Sequence, residues 1–291
     1  MIIAAPVASH ASIEPLRAVA DEVVYVVAPR EFGRVGLWYD DFEEIADADT
    51  LAALHAEPAV APDAEGLPLI QEVRIPVPRG QIAADLLLPA NSELRTQNSE
   101  LSAVVVFAHG SGSNRHSLRN WHVARALLEG GIGVLLLDLL TPVEQSTDRK
   151  TAEHRFDIPL LTARVTAAVD WLGTAPETRG LSAGGYGAST GAAAMFAVAA
   201  QRPGRRAIVS RGGRVDLAED ALAQVRVPAL LVVGSEDPET LAMNQRMRPR
   251  FGGPVTLHVI DGADHLFDAP EHLDSLAAAA VSWFGRYLRR P

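Results

Sequence analysis

The chain has 291 residues, 48% of them hydrophobic and 21% charged, which is enough apolar material for one or two globular domains with sizeable cores. Its formal charge of −10 opposes general nucleic-acid binding, which needs clustered cations to displace counterions. The absence of cysteine excludes disulfides, thiolate metal ligands and a cysteine nucleophile, and fits a reducing compartment.

The first residues, "MIIAAPVASHAS", lack a basic leader and are interrupted by Pro6, so they do not read as a secretory signal. No segment approaches ~18 uninterrupted apolar residues. A cytoplasmic protein with no membrane or nucleic-acid partner is expected. Residues 2–6 and 22–28 read as short buried strands with the helix "ASIEPLRAVA" between them, a small β-α-β unit. A helical pattern recurs near 48–56. The Pro-, Ala- and acid-rich run that follows is the best linker in the chain. The expected division is therefore 1–60, a linker over 61–68, and a second domain over 69–291.

Residues 69–77 and 81–88 predict two strands joined at Pro78-Arg79-Gly80, a hairpin. The polar stretch behind it repeats Asn91–Leu94 as Asn98–Leu101 and reads as an inserted surface loop. From residue 103 strands and helices alternate. Strands are expected at 103–108, 132–138, 183–187, 206–210, 229–234 and 255–260. Helices are expected near 117–129, 157–173, 189–201, 217–224, 239–249 and 271–289. Continuous apolar strands between amphipathic helices predict a mostly parallel sheet covered on both faces, entered through an antiparallel hairpin. This is the layout of an α/β-hydrolase.

The segment "GLSAGGYGASTG" carries G-x-S-x-G twice, around Ser182 and around Ser189. A nucleophile elbow needs a strand before the serine and a helix after it. Ser182 has a polar turn before it and "GGYG" after it. Ser189 runs into "TGAAAMFAVAAQ", a strong helix former, and is preceded by "SAGGYG", a poor strand former that a closely packed central strand could tolerate. Ser189 is the candidate nucleophile. Its partners in such a fold follow in the order acid, then histidine, each after a strand. "GSEDPE" after the strand at 229–234 offers Asp237, with Glu236 as rival acid, and "DGADHLF" after the next strand offers His265. Oxyanion donors are expected from the backbone N–H of Thr190 and from the loop "AHGSGSNRHS", where Ser111 is first choice and Gly112 second. Arg115, His116 and Arg119, with Arg211 and Arg214 at another strand end, are candidates for binding a substrate carboxylate or for solvated surface. No metal site and no cofactor is expected.

Taken together, "FAHGSGSNRHSLRN", "LLLDLLTPVE", "GYGASTGAAAMF", "VSRGGRVDLA" and "ADHLF" resemble the dienelactone hydrolase-like branch of the α/β-hydrolases over about residues 70–290. The resemblance implies that fold and Ser189, Asp237 and His265 as triad. Dienelactone hydrolases proper use cysteine, so the fold and triad carry over better than the lactone substrate. "EVVYVVAPREFGRVGLWYDDFEEIAD" resembles the C-terminal end of a type I phosphoribosyltransferase. The diphosphate-sugar loop of that family would lie upstream of "IIAAPVAS" and is not seen, so no transferase activity is expected. Asp40 and Asp41 read as surface carboxylates beside Trp38 and Tyr39 rather than as catalytic leftovers. Residues 1–60 read as a remnant that packs on the hydrolase or serves in self-association, which leaves a homo-oligomer open. The expected function is cofactor-free serine hydrolysis of a small-molecule ester, thioester or lactone. The alternatives are a catalytically silent binding module of the same fold and a phosphoribosyltransferase-related protein.

Overall fold

The computed structural model describes residues 2–17, 19–20, 22–29, 69–89, 101, 103–202 and 207–288. The helical pattern at 48–56, the linker, the acidic pair Asp40–Asp41 and most of the Asn-Ser-Glu-Leu repeat lie outside them. The chain divides into two compact units, Met1–Ala61 and Pro62–Pro291. In the first, strands β1 (Ile2–Val7) and β2 (Glu22–Val27) pair in parallel around helix α1 (His10–Arg17), which buries Ile13. The ladder is prolonged by the Ala8 N–H, which donates to the Val27 carbonyl at 3.0 Å.

The second unit holds an eight-stranded sheet. Its strands are β3 (Leu69–Val77), β4 (Gly80–Leu88), β5 (Ala103–Ala108), β6 (Gly133–Leu137), β7 (Ser182–Ala188), β8 (Ile208–Arg211), β9 (Ala229–Gly234) and β10 (Val255–Ile260). Their order across the sheet is β10-β9-β8-β7-β5-β6-β4-β3. The β3–β4 hairpin is antiparallel, β4 meets β6 antiparallel, and every other pairing is parallel. This is an α/β-hydrolase fold. The sheet turns one way from β5 to β6 and the other way from β5 to β7. Ligands of open α/β sheets bind outside the carboxyl ends of strands at such a reversal.

The core has two layers because strand side chains alternate. Val104, Val106 and Ala108 of β5 face helices α4 (Ile158–Thr174) and α5 (Thr190–Gln201). Val105 and Phe107 face α2 (Leu118–Glu129) and the C-terminal helix α8 (Pro270–Leu288). In α8, Leu276, Ala277, Ala280, Phe284 and Leu288 form the buried stripe, the spacing expected of a helix with one apolar face. The glycine-rich segment 182–188 is a genuine strand. Its composition suits what packs on it: a Cβ at Gly184 would stand 2.8 Å from Leu288 Cδ1 and 3.0 Å from Phe284 Cε1. Small residues there let α8 approach the sheet, and this packing outweighs poor strand propensity.

Two elements differ from expectation. The helix expected at 217–224 is a 3₁₀ turn at Val215–Ala218 followed by a single α-turn, α6, at Glu219–Leu222. A helix not expected, α3 (Pro142–Thr151), follows β6. Its sequence, "PVEQSTDRKT", has no apolar stripe, and Asp148 is its buried residue. It forms because Thr141 and Glu144 close a capping box and Pro142 occupies the first turn. Between β9 and β10 lies α7 (Pro238–Met247). Among the described residues no helix is long and apolar enough to cross a membrane.

Replacing Gly184 by valine forces a branched side chain against Phe284 and Leu288. A loss of about 1–3 kcal/mol is expected, read as a lower urea midpoint at unchanged slope.

Candidate active site

The carboxyl ends of β5, β7, β8, β9 and β10 bring the candidate residues to one edge of the sheet. Ser189 sits between β7 and α5 with φ 48° and ψ −118°. A residue with a Cβ is strained at such a positive φ, so packing must hold it there. It does: a Cβ on Gly187 would lie 2.5 Å from Ala192 Cα, and one on Gly191 would lie 2.3 Å from the Ala108 carbonyl oxygen. The two glycines of the motif are thus demanded by backbone-to-backbone contact. Ser189 occupies the N-cap position of α5, yet its hydroxyl makes no capping bond. Ser182 begins β7, well away from this turn.

Asp237 caps α7, accepting the Thr240 N–H at 3.3 Å on one carboxylate oxygen. The other oxygen accepts the Nδ1–H of His265 at 2.6 Å. That bond assigns the His265 proton to Nδ1 and leaves Nε2 as an acceptor. Glu236 is exposed, and its backbone N–H donates to the Ala263 carbonyl at 2.9 Å. The His265 loop is held from below by Asp264, whose Oδ1 accepts the N–H groups of Leu266 (3.1 Å), Phe267 (2.6 Å) and Asp268 (3.4 Å). Phe267, at φ 60°, is buried beneath it. The imidazole lies over Gly212, directly after β8: a Cβ there would be 3.2 Å from His265 Cε1. The neighbouring Arg211 carbonyl accepts the Ser189 N–H at 3.1 Å, so serine and imidazole converge on the same strand end.

The loop after β5 lies against Ser189, since a Cβ on Gly110 would be 3.1 Å from Ser189 Cβ. Ser111 Oγ lies 3.1 Å from Thr190 Oγ1, which places the two expected oxyanion donors side by side. Buried His109 fixes this loop. Its Nε2 accepts the Leu139 N–H at 3.2 Å, so its proton is on Nδ1, which donates to the Gly110 carbonyl at 2.8 Å. The same carbonyl accepts the Ser113 N–H at 3.1 Å. The Gly110 carbonyl and the Ser111 N–H belong to one planar trans peptide and point opposite ways. Holding the carbonyl therefore aims the Ser111 N–H. Burial lowers the His109 pKa and keeps this imidazole neutral.

The four candidate substrate-binding side chains lie elsewhere. Arg115 is buried and surrounded by carboxylates: its backbone N–H and Nη1 reach Asp138, its Nε donates to Asp85 at 3.2 Å, and Nη2 is 3.5 Å from Glu72. Burial pushes the Asp85 carboxyl up to about 6 even with this cation beside it. His116 is packed near Asp85, its Nδ1 3.9 Å away, and burial followed by the Arg115 charge lowers its pKa. Arg119 pairs with Asp268 at 2.7 Å. Arg211 is buried and donates to the Leu266 carbonyl at 3.2 Å. Arg214, the further arginine, chelates Asp216 at 2.8 and 2.9 Å. All five are engaged in intramolecular contacts. None lines the cleft described next.

A cleft of about 260 Å³ opens over the loop after β5, lined by Ser111, Gly112, Asn114, Gln145, Arg149, Arg155 and Thr190 among others. Arg155 enters it from the turn behind α3. Asp148, buried at the end of that helix, accepts the backbone N–H groups of His154 (2.8 Å) and Arg155 (2.9 Å) and the Arg155 Nε (2.9 Å). The Asp148 carbonyl takes Nη2 at 2.8 Å, and Nη1 is left facing Gly112. No apolar periodicity marks this segment. The signal that could have found it is the Thr141–Glu144 capping pair, which announces a helix whose far end must come back over the site.

Comparison with known proteins agrees with this fold. A profile of the dienelactone hydrolase family matches residues 91–288. A crystal structure of dienelactone hydrolase from Anabaena variabilis is 41% identical, with a TM-score of 0.71, over 76% of this chain and 99% of that one. Est1E from Butyrivibrio proteoclasticus, 16% identical with a TM-score of 0.57, covers 74% of this chain and 98% of its own, and shares the fold. A Mycobacterium tuberculosis (strain H37Rv) protein named as a phosphoribosyl transferase is 39% identical over 299 residues. That alignment takes in all of this chain, which spans 65% of the relative's length. By its profile match and its likeness to the Anabaena enzyme along nearly that enzyme's whole length, the chain belongs to the dienelactone hydrolase family.

Proposed function

We propose that the protein is a serine hydrolase that cleaves a small carboxylic ester, thioester or lactone through an acyl-enzyme. The observation that carries this reading is the strained Ser189 turn beside an imidazole whose Nδ1–H is bound to Asp237 at 2.6 Å. Ser189 Oγ attacks the acyl carbon as its proton passes to Nε2 of His265. Asp237 holds the tautomer and faces the imidazolium that results. The carbonyl oxygen becomes an oxyanion, stabilised by the N–H of Thr190 at the N-terminus of α5 and the N–H of Ser111 in the loop after β5. Collapse breaks the bond to the leaving group, which takes the proton from His265. Water then repeats the sequence and releases the acid, restoring the Ser189 hydroxyl. No cofactor enters these steps.

The small, polar cleft is lined by Ser111 and Thr190 but by none of Ser189, Asp237 and His265. Lying beside the expected oxyanion donors, it and the half-held guanidinium of Arg155 favour a short acyl group carrying an anionic or strongly polar end. A second reading, activity related to phosphoribosyl transfer, rests on the name of the Mycobacterium relative. Binding of phosphoribosyl diphosphate in calorimetry would support it.

A fluorophosphonate probe should label the native chain and not Ser189→Ala; no labelling of the native chain leaves a silent binding module, and equal labelling of both sinks Ser189 as the nucleophile. On p-nitrophenyl esters, His265→Ala and Asp237→Asn should each lower kcat by about 10⁴. Displacing one oxyanion donor should cost on the order of 10- to 100-fold, less than its deletion. That loss is expected in kcat for His109→Leu, with KM little changed. Arg155→Gln should raise KM for hemisuccinate esters and leave that for acetate esters alone.

A further inference from the structure

Arg211 is the last residue of β8; its backbone touches Ser189 and its side chain touches the loop that carries His265. Its carbonyl accepts the Ser189 N–H at 3.1 Å. Its Nη1 donates 3.2 Å to the carbonyl of Leu266, the residue directly after His265. Its guanidinium carbon stands 5.9 Å from the centre of the Phe267 ring, the next residue again. The side chain is buried, and no carboxylate pairs with it among the described residues. Its Nε finds no partner there. A buried guanidinium so sparsely compensated depends on the acceptors it has. Here these are the Leu266 carbonyl and the Phe267 ring of the His265 loop. The Asp268 charge of the same loop and the Tyr186 hydroxyl of β7 also favour the cation. Opening that loop would therefore cost the guanidinium its carbonyl, its ring and its nearby carboxylate.

We propose that Arg211 is the positioning residue that sets the reach from Ser189 to His265, tying the backbone of one and the loop of the other to the end of β8. This rests on the catalytic reading of those two residues. Arg211 touches no substrate in this scheme. It acts through the imidazole, keeping it against Asp237 and over Gly212. The sheet supplies the rigid reference: Arg211 is in register with Ala188 of β7 and Val232 of β9, and the Gly212 N–H donates to the Val232 carbonyl at 2.8 Å.

The test uses the full chain with Arg211→Met, Arg211→Lys and His265→Ala. Turnover of p-nitrophenyl acetate is measured together with the downfield proton resonance of the His265–Asp237 hydrogen bond. Loss of a positioning contact should lower kcat by roughly 10- to 100-fold and move KM by less than about twofold. The downfield proton should vanish or shift in folded Arg211→Met and weaken in Arg211→Lys. Wild-type kcat in folded Arg211→Met overturns the proposal. So does a loss of kcat with the resonance unchanged, which is what general weakening of the fold would give. If Arg211→Met does not fold, Arg211→Lys, which keeps the charge and loses the reach, decides by the same two readouts. If His265→Ala leaves wild-type turnover intact, the catalytic reading fails by itself. The resonance then still reports whether Arg211 holds the ring.

Discussion

The arrangement depends on one backbone conformation, the positive φ of Ser189. A serine cannot rest there by its own preference, and the cost of such a residue is of order 1–3 kcal/mol. It is offset by the contacts on either side, where α5 presses so closely on β5 and β7 that Gly187 and Gly191 admit no side chain. That close approach delivers three things at once. It lifts the hydroxyl out of the helix cap, brings the first N–H of α5 to the same spot, and sets the loop after β5 against the serine. A looser helix would lose all three together.

The loop after β5 is rigid for a related reason. Two consecutive residues at the exit of β6 hold its two ends. Leu139 holds His109 through its N–H, and Asp138 holds Arg115 through backbone and side chain. A glycine- and serine-rich loop has no propensity of its own to keep a shape. The shape comes from a neutral imidazole at one end and an arginine among carboxylates at the other. Each is buried, and burial lowers the pKa of His109 while raising that of Asp85.

Much of the fold was legible because apolar strands and amphipathic helices announce themselves by period. Ser189 could be preferred to Ser182 because a helix follows only one of them, and the positions of Asp237 and His265 could be read from strand ends. What was not legible was three-dimensional. The poor strand propensity of Ser182–Ala188 makes sense only once Phe284 and Leu288, about a hundred residues later, are seen lying on it. Helix α3 has no apolar face to mark it in the sequence, since its stability comes from caps and from buried Asp148. Arg115 and Arg211 looked available as loop and strand-end cations, but linear order does not show that carboxylates and a carbonyl lie within reach of them.

These misplacements share a cause that bears on how such a site is built. With Lys150 as its one lysine, the chain meets nearly every cationic need with arginine, and a guanidinium has five donors to satisfy. Around this site arginines serve first as internal ties: Arg115 for the loop after β5, Arg211 for the His265 loop, Arg214 for the turn after β8. Arg155 is different in degree. Asp148 takes its Nε and Nη2, and Nη1 faces the cleft. A fork held on one side by a buried carboxylate has already lost its side-chain freedom before a ligand arrives. The cation suited to recognition is therefore the one that the structure has half-used, because rigidity and a free donor are both needed there.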